Sequence, residues 1–519
     1  MEISIGKFTL ESLTTGMYNE PETCYREYIQ NAVDSLDLAV KEGIIHQDES
    51  RIEIIVDDEH QSISIKDNGT GIKSNLASKT LLDIGNSTKL HSVNRGFRGI
   101  GRLGGLSYCK KLSFCTTAQG ESEKNVVTFD CNKLKELLIP GQSDEHTLQS
   151  VIKAVTTVET MTEQASAHYF IVKMDDVDGI ETLLNIDIVK DYISQVAPLP
   201  FRDRFYWGKQ INQELLDRGF DVTEYPVFIG KNFESLSQIF KPYKLTLDVS
   251  ARAGVSKDEI FGISYFEVQG SSEDVLAFGW YADTDFSGTL VDDRLNGIRI
   301  RLGNILIGSA KTLSPYFKES RFNGWVMGEL YIVSNHLIPN ARRDDFERND
   351  TFLEFEQGVR RTVGLEVSDK IRSASKARNN PAQKTLKKAE KAISQVEAIL
   401  NIGFNSTYEK EQIVENVGNI KKELHAIPKS VEADVLQKKV ELIGKLENLK
   451  TEVEESSNYK SKKDISSTFS KSEKKIVQAM LEVLTRNFER ETVDSLFKEF
   501  LDELQLKGKN NADISRKIR

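Results

Sequence analysis

The spacing of apolar residues changes near residue 350, and this change limits what the chain can fold into. Before that point, short runs of alternating apolar residues are separated by turns of Gly, Asp and Ser. After it, Gly and Pro become rare, Lys and Glu dominate, and apolar residues recur at helical spacing. A period of two indicates strands, and a period of about 3.6 indicates helices. The sequence therefore predicts an α+β region followed by an α-helical region.

The composition is that of a soluble protein with several domains. The chain has 519 residues, 39% of them hydrophobic and 29% charged. Its net charge of −10 argues against nucleic-acid binding over the whole surface, although a local basic groove remains compatible with it. Four scattered cysteines without a C-x-x-C pair favour a reducing compartment, with neither a disulfide framework nor a zinc site. No run of about 18 apolar residues occurs, so we expect a cytoplasmic protein without a membrane-spanning segment.

Residues 1–185 are expected to form an α/β sandwich with a mixed sheet. A helix is predicted over 21–43, with Pro21 in its first turn. Residues 74–95 are polar and rich in Ser and Asn, which predicts a mobile loop. The strand candidates are RIEIIVDD (51–58), SISIKDNG (62–69), KLSFCTTA (111–118), NVVTFDC (125–131) and AHYFIVKMDDV (167–177).

Residues 190–350 are expected to form a second domain of α/β or α+β type, and residues 351–519 a helical region that is partly coiled coil. Amphipathic helices are predicted over 382–400 and 435–455. The strand candidates of the second domain are KLTLDVSA (244–251), ISYFEVQG (263–270), LAFGWYA (276–282), GIRIRLGNILIG (297–308) and GELYIVS (328–334).

Two apolar stripes in the helical region suggest helix pairing. The first follows a 7-4-3-4 spacing interrupted by Lys438 and Lys439, which fits a helical hairpin and leaves a coiled-coil dimer open. Its members are Val435, Leu442, Leu446, Leu449 and Val453. The second predicts a terminal helix pair and consists of Ile476, Met480, Leu484 and Phe488, followed by Val493, Phe497, Phe500 and Leu504.

Three polar or Gly-rich segments near the N-terminus carry candidate chemistry. In YREYIQNAVDSLD, the residues Glu27, Asn31 and Asp34 fall within about 60° of one helical face. Such a row presents an acid, an amide and a second acid to whatever faces it. For these three residues taken alone, a solvated helix face is the commoner explanation.

The second segment, ISIKDNGTGI, places Asp67, Gly69, Gly71 and Ile72 directly after a predicted strand. Its glycines allow the backbone to approach a ligand closely, and the aspartate can accept a hydrogen bond from an amino group. The same D-N-G sequence is typical of a hairpin turn.

The third segment, NRGFRGIGRLGG, contains Gly96, Gly99 and Gly101 in the pattern G-x-x-G-x-G. Free N–H groups in such a segment suit the binding of phosphates. Gly99, Gly101 and Gly104 also match a dinucleotide fingerprint, but a polar loop rather than a strand precedes them. No G-x-x-x-x-G-K-[ST] sequence occurs, so the chain is not a P-loop protein.

In order and spacing, the three segments resemble those of the ATPases of the gyrase, heat-shock chaperone, histidine kinase and MutL (GHKL) superfamily. The first segment is most similar to that of the ninety-kilodalton heat-shock chaperones. The resemblance covers residues 1 to about 180 and implies the Bergerat ATP-binding fold, with ATP and Mg²⁺ as ligands.

The resemblance also assigns roles. It implies that Glu27 is the general base, that Asn31 holds Mg²⁺ and that Asp67 binds the adenine amino group, with Asp34 as pocket support. Hydrolysis suits this set, because a carboxylate can accept a proton from water while a metal neutralises phosphate charge. The implied ATP contacts further include Gly69, Gly71, Ile72, Gly96, Gly99 and Gly101 and, unless they belong to a solvated loop, Ser87 and Lys89 of a lid.

A second region of resemblance is LIPNARRDDFE (337–347). The chaperones carry a catalytic loop in which an arginine follows an asparagine by three residues, and Asn340 and Arg343 match this spacing. Arg343 would then stabilise charge on the γ-phosphate, with Arg342 as the competitor for the role. A surface Arg–Asp cluster is the alternative. Residues 351–519 show no such resemblance, which puts client binding in doubt.

We therefore expect an ATP-driven conformational machine that remodels a protein partner, a role compatible with bacterial stress or antiviral defence. The alternatives are a nucleic-acid clamp of MutL, MORC or topoisomerase type and a nucleotide-gated scaffold. The acidic net charge favours a protein partner, whereas the Lys-rich stretches 384–391 and 460–464 leave nucleic acid open. A homodimer through the helical region is a further expectation, and a membrane partner is not expected.

Overall fold

The protein is described by a computed structural model that confirms the α+β class. The described residues are 6–13, 20–85, 99–139, 147–178, 180–220, 222–251, 254–271, 274–377, 380–428, 433–459, 471–488, 490, 492–497 and 499–500. Within these ranges, none of the helices is both long and apolar enough to cross a lipid bilayer.

The first domain is built on an eight-stranded mixed sheet. Its strands are β1 (Ile52–Asp57), β2 (Ser62–Asp67), β3 (Cys109–Thr117), β4 (Glu123–Asp130), β5 (Thr156–Thr162), β6 (Tyr169–Val177), β7 (Val227–Gly230) and β8 (Ser237–Ile239). They are ordered β5-β4-β3-β6-β2-β1-β7-β8, with β1 and β7 parallel and the other neighbours antiparallel. The strands predicted between residues 51 and 177 are thus confirmed. Because β7 and β8 join this sheet, it extends past the expected domain boundary at residue 185.

Helices cover one face of this sheet. They are α1 (Phe8–Leu13), α2 (Thr23–Lys41), α3 (Ser74–Leu82), α4 (Cys131–Leu137), α5 (Leu148–Val155), α6 (Glu181–Leu184) and α7 (Ile186–Val196). The central one is α2, whose apolar residues, including Tyr25, Ile29 and Leu36, are buried in the domain core. It ends before Gly43, whose φ of +71° stops the helix.

The expected loop over 74–95 is wrong in its first part, because residues 74–82 form α3. Ala77 and Leu81 lie four residues apart on one face of this helix and are both buried. These two apolar side chains stand among polar residues and pack the helix against β4. The segment 86–95 lies outside the described residues.

The middle domain packs a five-stranded sheet beside a three-stranded one. It begins with α8 (Trp207–Asp217) and contains β9 (Thr246–Ala251), β10 (Gly254–Glu259), β11 (Gly262–Gln269), β12 (Val275–Asp283), β13 (Thr289–Leu290), β14 (Gly297–Leu302), β15 (Ile305–Ile307) and β16 (Met327–Ile332). The orders are β11-β12-β16-β14-β15 and β10-β9-β13. The predicted run 297–308 is two strands, because Gly303 and Asn304 turn the chain at positive φ.

A long helical segment leads from the middle domain to the C-terminal region. It consists of α9 (Asp350–Val359), a π-helical stretch (Arg360–Val367) and α10 (Ser368–Ala377). Gly358 and Gly364 lie against backbone atoms of Gln269 and Tyr316, where a side chain would overlap. The segment therefore packs tightly along the sheet that precedes it.

The C-terminal region contains α11 (Pro381–Ile402), α12 (Thr407–His425), α13 (Ala433–Glu455) and α14 (Lys471–Asn487). The first three pack on one another, and the stripe from Val435 to Val453 is buried between them. The expected hairpin is thus a three-helix arrangement within one chain. Lys439 interrupts the stripe for a local reason, because its ammonium donates hydrogen bonds to the carbonyls of His425 and Ile427 at the end of α12.

The first half of the predicted terminal stripe is only partly correct, because the buried face of α14 is centred on Val477 and Leu481. Val477 and Leu481 are buried with Val493 and Phe497, whereas Ile476 is 65% exposed. Phe488 is also exposed, because it follows the last residue of α14. Met480, Leu484 and Phe500 pack at the edge of this cluster as predicted, and Leu504 lies outside the described residues.

Candidate active site

The acidic row of α2 is enclosed rather than solvated. Glu27 and Asp34 are 7% and 4% exposed, and Asn31 between them is half-buried. The solvated-face explanation is therefore wrong. Burying two carboxylates on a core helix is unfavourable unless nearby groups compensate for their charge. Such an arrangement is characteristic of a functional site.

Two arginines compensate for the charge of Glu27. The Arg26 Nη2 atom lies 3.5 Å from Glu27 Oε1, and the Arg343 Nε atom lies 3.7 Å from the same oxygen. The other carboxylate oxygen faces Gly101, where a Cβ atom would overlap it. Glu27 is thus held between its own helix, the middle domain and the Gly-rich segment.

Arg343 reaches Glu27 from a hairpin loop of the middle domain. The loop is closed by a bridge between Pro339 and Phe346. At its tip, Asn340 donates a hydrogen bond through Nδ2 to Asp344 Oδ1 at 2.6 Å. Arg343 has a φ of +59°, and its carbonyl accepts from the N–H of Gly308 at 2.8 Å. Left-handed backbone at a large residue is strained, and such strain is concentrated at functional sites.

The two candidate arginines of this loop occupy different positions. Arg343 is 6% exposed and directs its side chain at Glu27. Arg342 meets the site through its main chain, since its carbonyl accepts a hydrogen bond from Arg26 Nη2 at 2.9 Å. The geometry therefore favours Arg343 over Arg342 for contact with a bound phosphate.

The turn after β2 forms a second wall of the site. Asp67 is 3% exposed, and its Oδ1 accepts from the N–H of Gly69 at 2.9 Å. Gly71 has a φ of +61°, and a Cβ atom there would overlap the carbonyl oxygen of Thr117. The N–H of Ile72 donates to Thr116 Oγ1 at 2.9 Å. Gly71 thus allows this turn to pack closely against the end of β3.

The first two segments meet directly. A Cβ atom on Gly69 would overlap Ser35 Oγ, and Ser35 follows Asp34 on α2. The turn that carries Asp67 therefore lies against the same helix that carries Glu27 and Asn31, on the C-terminal side of the polar row. Residues assigned to adenine and to phosphate thus border one region of α2.

The described part of the Gly-rich segment packs on α2 as well. Residues 101–105 form a 3₁₀ turn, in which the N–H of Gly105 donates to Tyr28 Oη at 2.8 Å. Tyr28 Oη in turn donates to the carbonyl of Arg102 at 3.3 Å. Gly99, with a φ of +70°, precedes this turn. Gly96, Ser87 and Lys89 lie outside the described residues.

Three residues of the site were not foreseen from the sequence. Arg26 precedes Glu27 in the chain. Adjacent residues on a helix point in different directions, so the sequence did not indicate that these two side chains would pair. Thr116 and Tyr28 act through single hydroxyl groups that any buried strand or helix could contain. Burial raises the pKa of Tyr28 well above its ordinary value, so it remains a neutral donor and acceptor.

Comparison with protein families agrees with this geometry. Residues 18–162 match the family described as Histidine kinase-, DNA gyrase B-, and HSP90-like ATPase. The match spans α2, the Asp67 turn and the Gly-rich segment. The match supports a GHKL-type ATPase domain at these residues, and the general activity of that family is to bind and hydrolyse ATP. No curated protein matches the chain.

The residues present also fit a magnesium ion. Mg²⁺ prefers oxygen ligands and is usually held by one or two protein groups together with substrate phosphates. The amide oxygen of Asn31, one turn from Glu27 on the same face of α2, is a ligand of this kind.

Proposed function

We propose that the protein is a Mg²⁺-dependent ATPase whose two N-terminal domains close on ATP and transmit that closure to a protein partner. The ion pair between Glu27 and Arg343 carries this proposal, because it joins the ATPase domain to the middle domain at the candidate base. A site shared between two domains makes their relative position depend on the ligand that binds there.

The chemistry follows from the side chains. Hydrolysis forms a bond between water oxygen and the γ-phosphorus and breaks the bond to the ADP oxygen, while Glu27 accepts the proton released by the water. Mg²⁺ held by Asn31 would neutralise phosphate charge. Asp67 would accept a hydrogen bond from the adenine amino group, and the N–H groups near Gly99 and Gly101 would contact phosphate.

Arg343 can pair with either of two anions, the Glu27 carboxylate or the γ-phosphate of bound ATP. A γ-phosphate carries more negative charge than a carboxylate and competes with Glu27 for the guanidinium. Transfer of Arg343 to the phosphate removes one cation from Glu27, which makes the carboxylate a better proton acceptor. The same transfer stabilises charge that develops on the phosphate. Binding of ATP and activation of the base are thereby coupled.

The middle domain offers a route for transmission to the C-terminal region. The helical segment 350–377 follows the Arg343 loop and continues into α11. That helix is fixed to the middle domain by ion pairs of Lys387 with Asp285 at 3.1 Å and of Lys391 with Glu259 at 3.3 Å. These contacts offer a route by which a movement of the loop would reach the helical bundle.

The same ion pairs support a protein partner over nucleic acid. In the Lys-rich stretch 384–391, Lys387, Lys388 and Lys391 each pair with a carboxylate of this chain, with Lys388 2.5 Å from Glu423. A lysine already neutralised gains less from a phosphate backbone. The stretch 460–464, the other basic candidate, lies outside the described residues.

Hydrolysis assays on the purified full chain test this proposal. We expect slow release of phosphate from ATP that requires Mg²⁺, with no stimulation by duplex DNA at physiological salt. Stimulation by DNA that weakens as salt rises would instead favour a nucleic-acid clamp. Binding of ATP without hydrolysis, even with candidate protein partners added, would favour a nucleotide-gated scaffold.

A homodimer belongs to the proposal as well, although the stripe from Val435 to Val453 is not its interface because α11 and α12 cover it. Light scattering on the eluting protein, with and without a non-hydrolysable ATP analogue, would measure the mass directly. A monomer under both conditions would exclude a stable dimer and leave the ATPase proposal intact.

A further inference from the structure

A network of buried charges lies in the middle domain, away from the residues assigned to ATP. Its centre is Glu329 on β16, which is fully buried. The carboxylate accepts hydrogen bonds from Lys241 Nζ and Tyr243 Oη, each at 2.8 Å, and from Arg301 and Tyr331. The positive charges of Arg301 and Lys241 outweigh the effect of burial and lower the pKa of Glu329 to about 2, so Glu329 is an anion at neutral pH.

The network reaches the first domain through Arg301. This fully buried side chain donates from Nη2 to the carbonyl of Gln195 at 3.0 Å. It also donates from Nη1 to the carbonyl of Ala197 at 3.5 Å. Gln195 belongs to the last turn of α7, where helix carbonyls lack partners within the helix. Arg301 therefore caps α7 while it pairs with Glu329. A second contact is the main-chain hydrogen bond from the N–H of Lys241 to the carbonyl of Pro200 at 3.0 Å.

From α7, contacts lead back to the helix of the candidate base. Helices α2 and α7 pack together. Tyr25 on α2 donates from Oη to the carbonyl of Leu183 in α6, the helix that precedes α7, at 2.7 Å. The helix that carries Glu27 is thus fixed to the helix that Arg301 caps.

In the other direction, the network leads to the arginine loop. Glu329 sits in the middle of β16, and the loop that carries Arg343 begins a few residues after this strand ends. Between them, the N–H groups of Val333 and Ser334 both donate to the carbonyl of Leu276, which fixes the path of the chain. The chain between Glu329 and the loop is therefore held to Leu276 on β12.

We propose that Glu329, Arg301 and Lys241 form a positioning element that sets the approach of Arg343 to Glu27. This inference rests on the function proposed above and adds the residues that hold its two halves in register. A buried ion network contributes little net stability compared with apolar residues of the same volume. Its role here is to orient the two domains, because the single side chain of Arg301 hydrogen-bonds both the end of α7 and the Glu329 carboxylate on β16.

Arg301→Lys is the most informative substitution, because it keeps the charge but an ammonium cannot form the planar fork that spans both partners. We expect kcat for ATP hydrolysis to fall by about ten- to a hundredfold, as misplacement of a catalytic group by about 1 Å does. The KM for ATP should change little, because the adenine contact of Asp67 and the phosphate contacts of the Gly-rich segment remain. Arg218→Lys is the matched control, since Arg218 bridges α8 and β11 within one domain, and it should leave kcat unchanged.

A double substitution separates positioning from general loss of structure. If Arg301 acts by placing Arg343, then Arg301→Lys should reduce kcat no further in a chain that already carries Arg343→Ala. Reductions that multiply would overturn the proposal, because they would show that Arg301 acts independently of Arg343.

A measurement without turnover covers the case in which the chain does not hydrolyse ATP. Spin labels at the exposed positions Asp48 and Asn335, with Cys115 replaced by serine, report the distance between the two domains. We expect one narrow distance distribution in the parent and a broader or shifted one after Arg301→Lys. An unchanged distribution would overturn the positioning role. A changed distribution in an inactive parent would support it while the ATPase proposal fails.

Discussion

The Nε atom of Arg343 lies 3.7 Å from the Oε1 atom of Glu27, so a residue of the middle domain neutralises a buried carboxylate of the ATPase domain. The contact is local in space but remote in sequence. It depends on a strained residue at the tip of a hairpin and on a helix that is buried on several sides. Both features would be difficult to maintain for stability alone, and together they point to a site shared by two domains.

Removing the acceptor for adenine should weaken ATP binding without unfolding the domain. In Asp67→Asn, one carboxylate oxygen becomes an NH₂ group that opposes the adenine amino group. We expect the Kd for ATP to rise at least about tenfold, in line with the value of a hydrogen bond to a charged group. Calorimetric titration measures it. Asp57→Asn is the matched control, because Asp57 ends the neighbouring strand at the surface, where it pairs with His60. Equal affinity in Asp67→Asn and the parent would exclude this role.

The two arginines of the loop should differ in effect. Arg343→Ala removes the guanidinium beside Glu27 and should reduce kcat by about a hundredfold or more, the scale of an arginine that stabilises phosphoryl transfer. Arg342→Ala keeps the carbonyl that Arg26 contacts and should retain most activity. Steady-state phosphate release compares the two. The reverse order of effects would assign the role to Arg342.

The backbone conformation at Arg343 can be tested apart from its charge. Glycine tolerates a φ of +59° without strain, so Arg343→Gly should be at least as stable as Arg343→Ala while it is equally inactive. Thermal denaturation measures the first quantity and phosphate release the second. A less stable Arg343→Gly would show that the strained conformation is absent in solution.

Gly101 should not tolerate a side chain. In Gly101→Ala, the Cβ atom would overlap Glu27 Oε2, so either the carboxylate or the 3₁₀ turn must move. We expect hydrolysis to fall at least about tenfold, because small displacements of catalytic groups are costly. Gly444→Ala is the control, since a Cβ atom there meets open space in α13 and should stabilise the helix by about 0.5–1 kcal/mol. Full activity in Gly101→Ala would mean that Glu27 has more room than the structure gives it.

Lys241 should give stability a distinctive pH dependence. Burial lowers its pKa from 10.5 to about 8, although Glu329 partly offsets this shift. Between these two values the unfolded chain binds the proton and the folded chain does not, so the free energy of unfolding rises with pH in this window. The difference in stability between the parent and Lys241→Met should therefore grow in favour of the parent from pH 8 to 10.5. Denaturant titrations at several pH values measure it, and a flat difference would contradict the shifted pKa.

Much of the architecture could be predicted because its signals are local. Alternation of apolar residues located most strands of the three sheets, and the change in spacing near residue 350 located the helical region. The predicted helix over 21–43 was nearly correct, since α2 spans Thr23–Lys41 and Gly43 follows its end, but Pro21 precedes the helix instead of lying in its first turn. The predicted GHKL resemblance of the first domain is confirmed by the family match at residues 18–162.

Other features depend on contacts that sequence spacing does not encode. Helix α3 is held by Ala77 and Leu81 among polar residues, so it resembled a loop. The stripe from Val435 to Val453 fitted a dimer as well as the three-helix packing that the chain adopts. The network around Glu329 joins residues from four separate segments, and none of them carries a motif. Such groups become visible only once the fold brings them together.

Parallel measurement of ATP binding and hydrolysis in the parent and in Glu27→Gln tests the central claim most directly. This substitution keeps the shape of the side chain but removes its ability to accept a proton. We expect Glu27→Gln to bind ATP and Mg²⁺ with an affinity close to that of the parent while its hydrolysis falls by about a hundredfold or more. Hydrolysis at the parental rate in Glu27→Gln would show that Glu27 is not the base and would contradict the account.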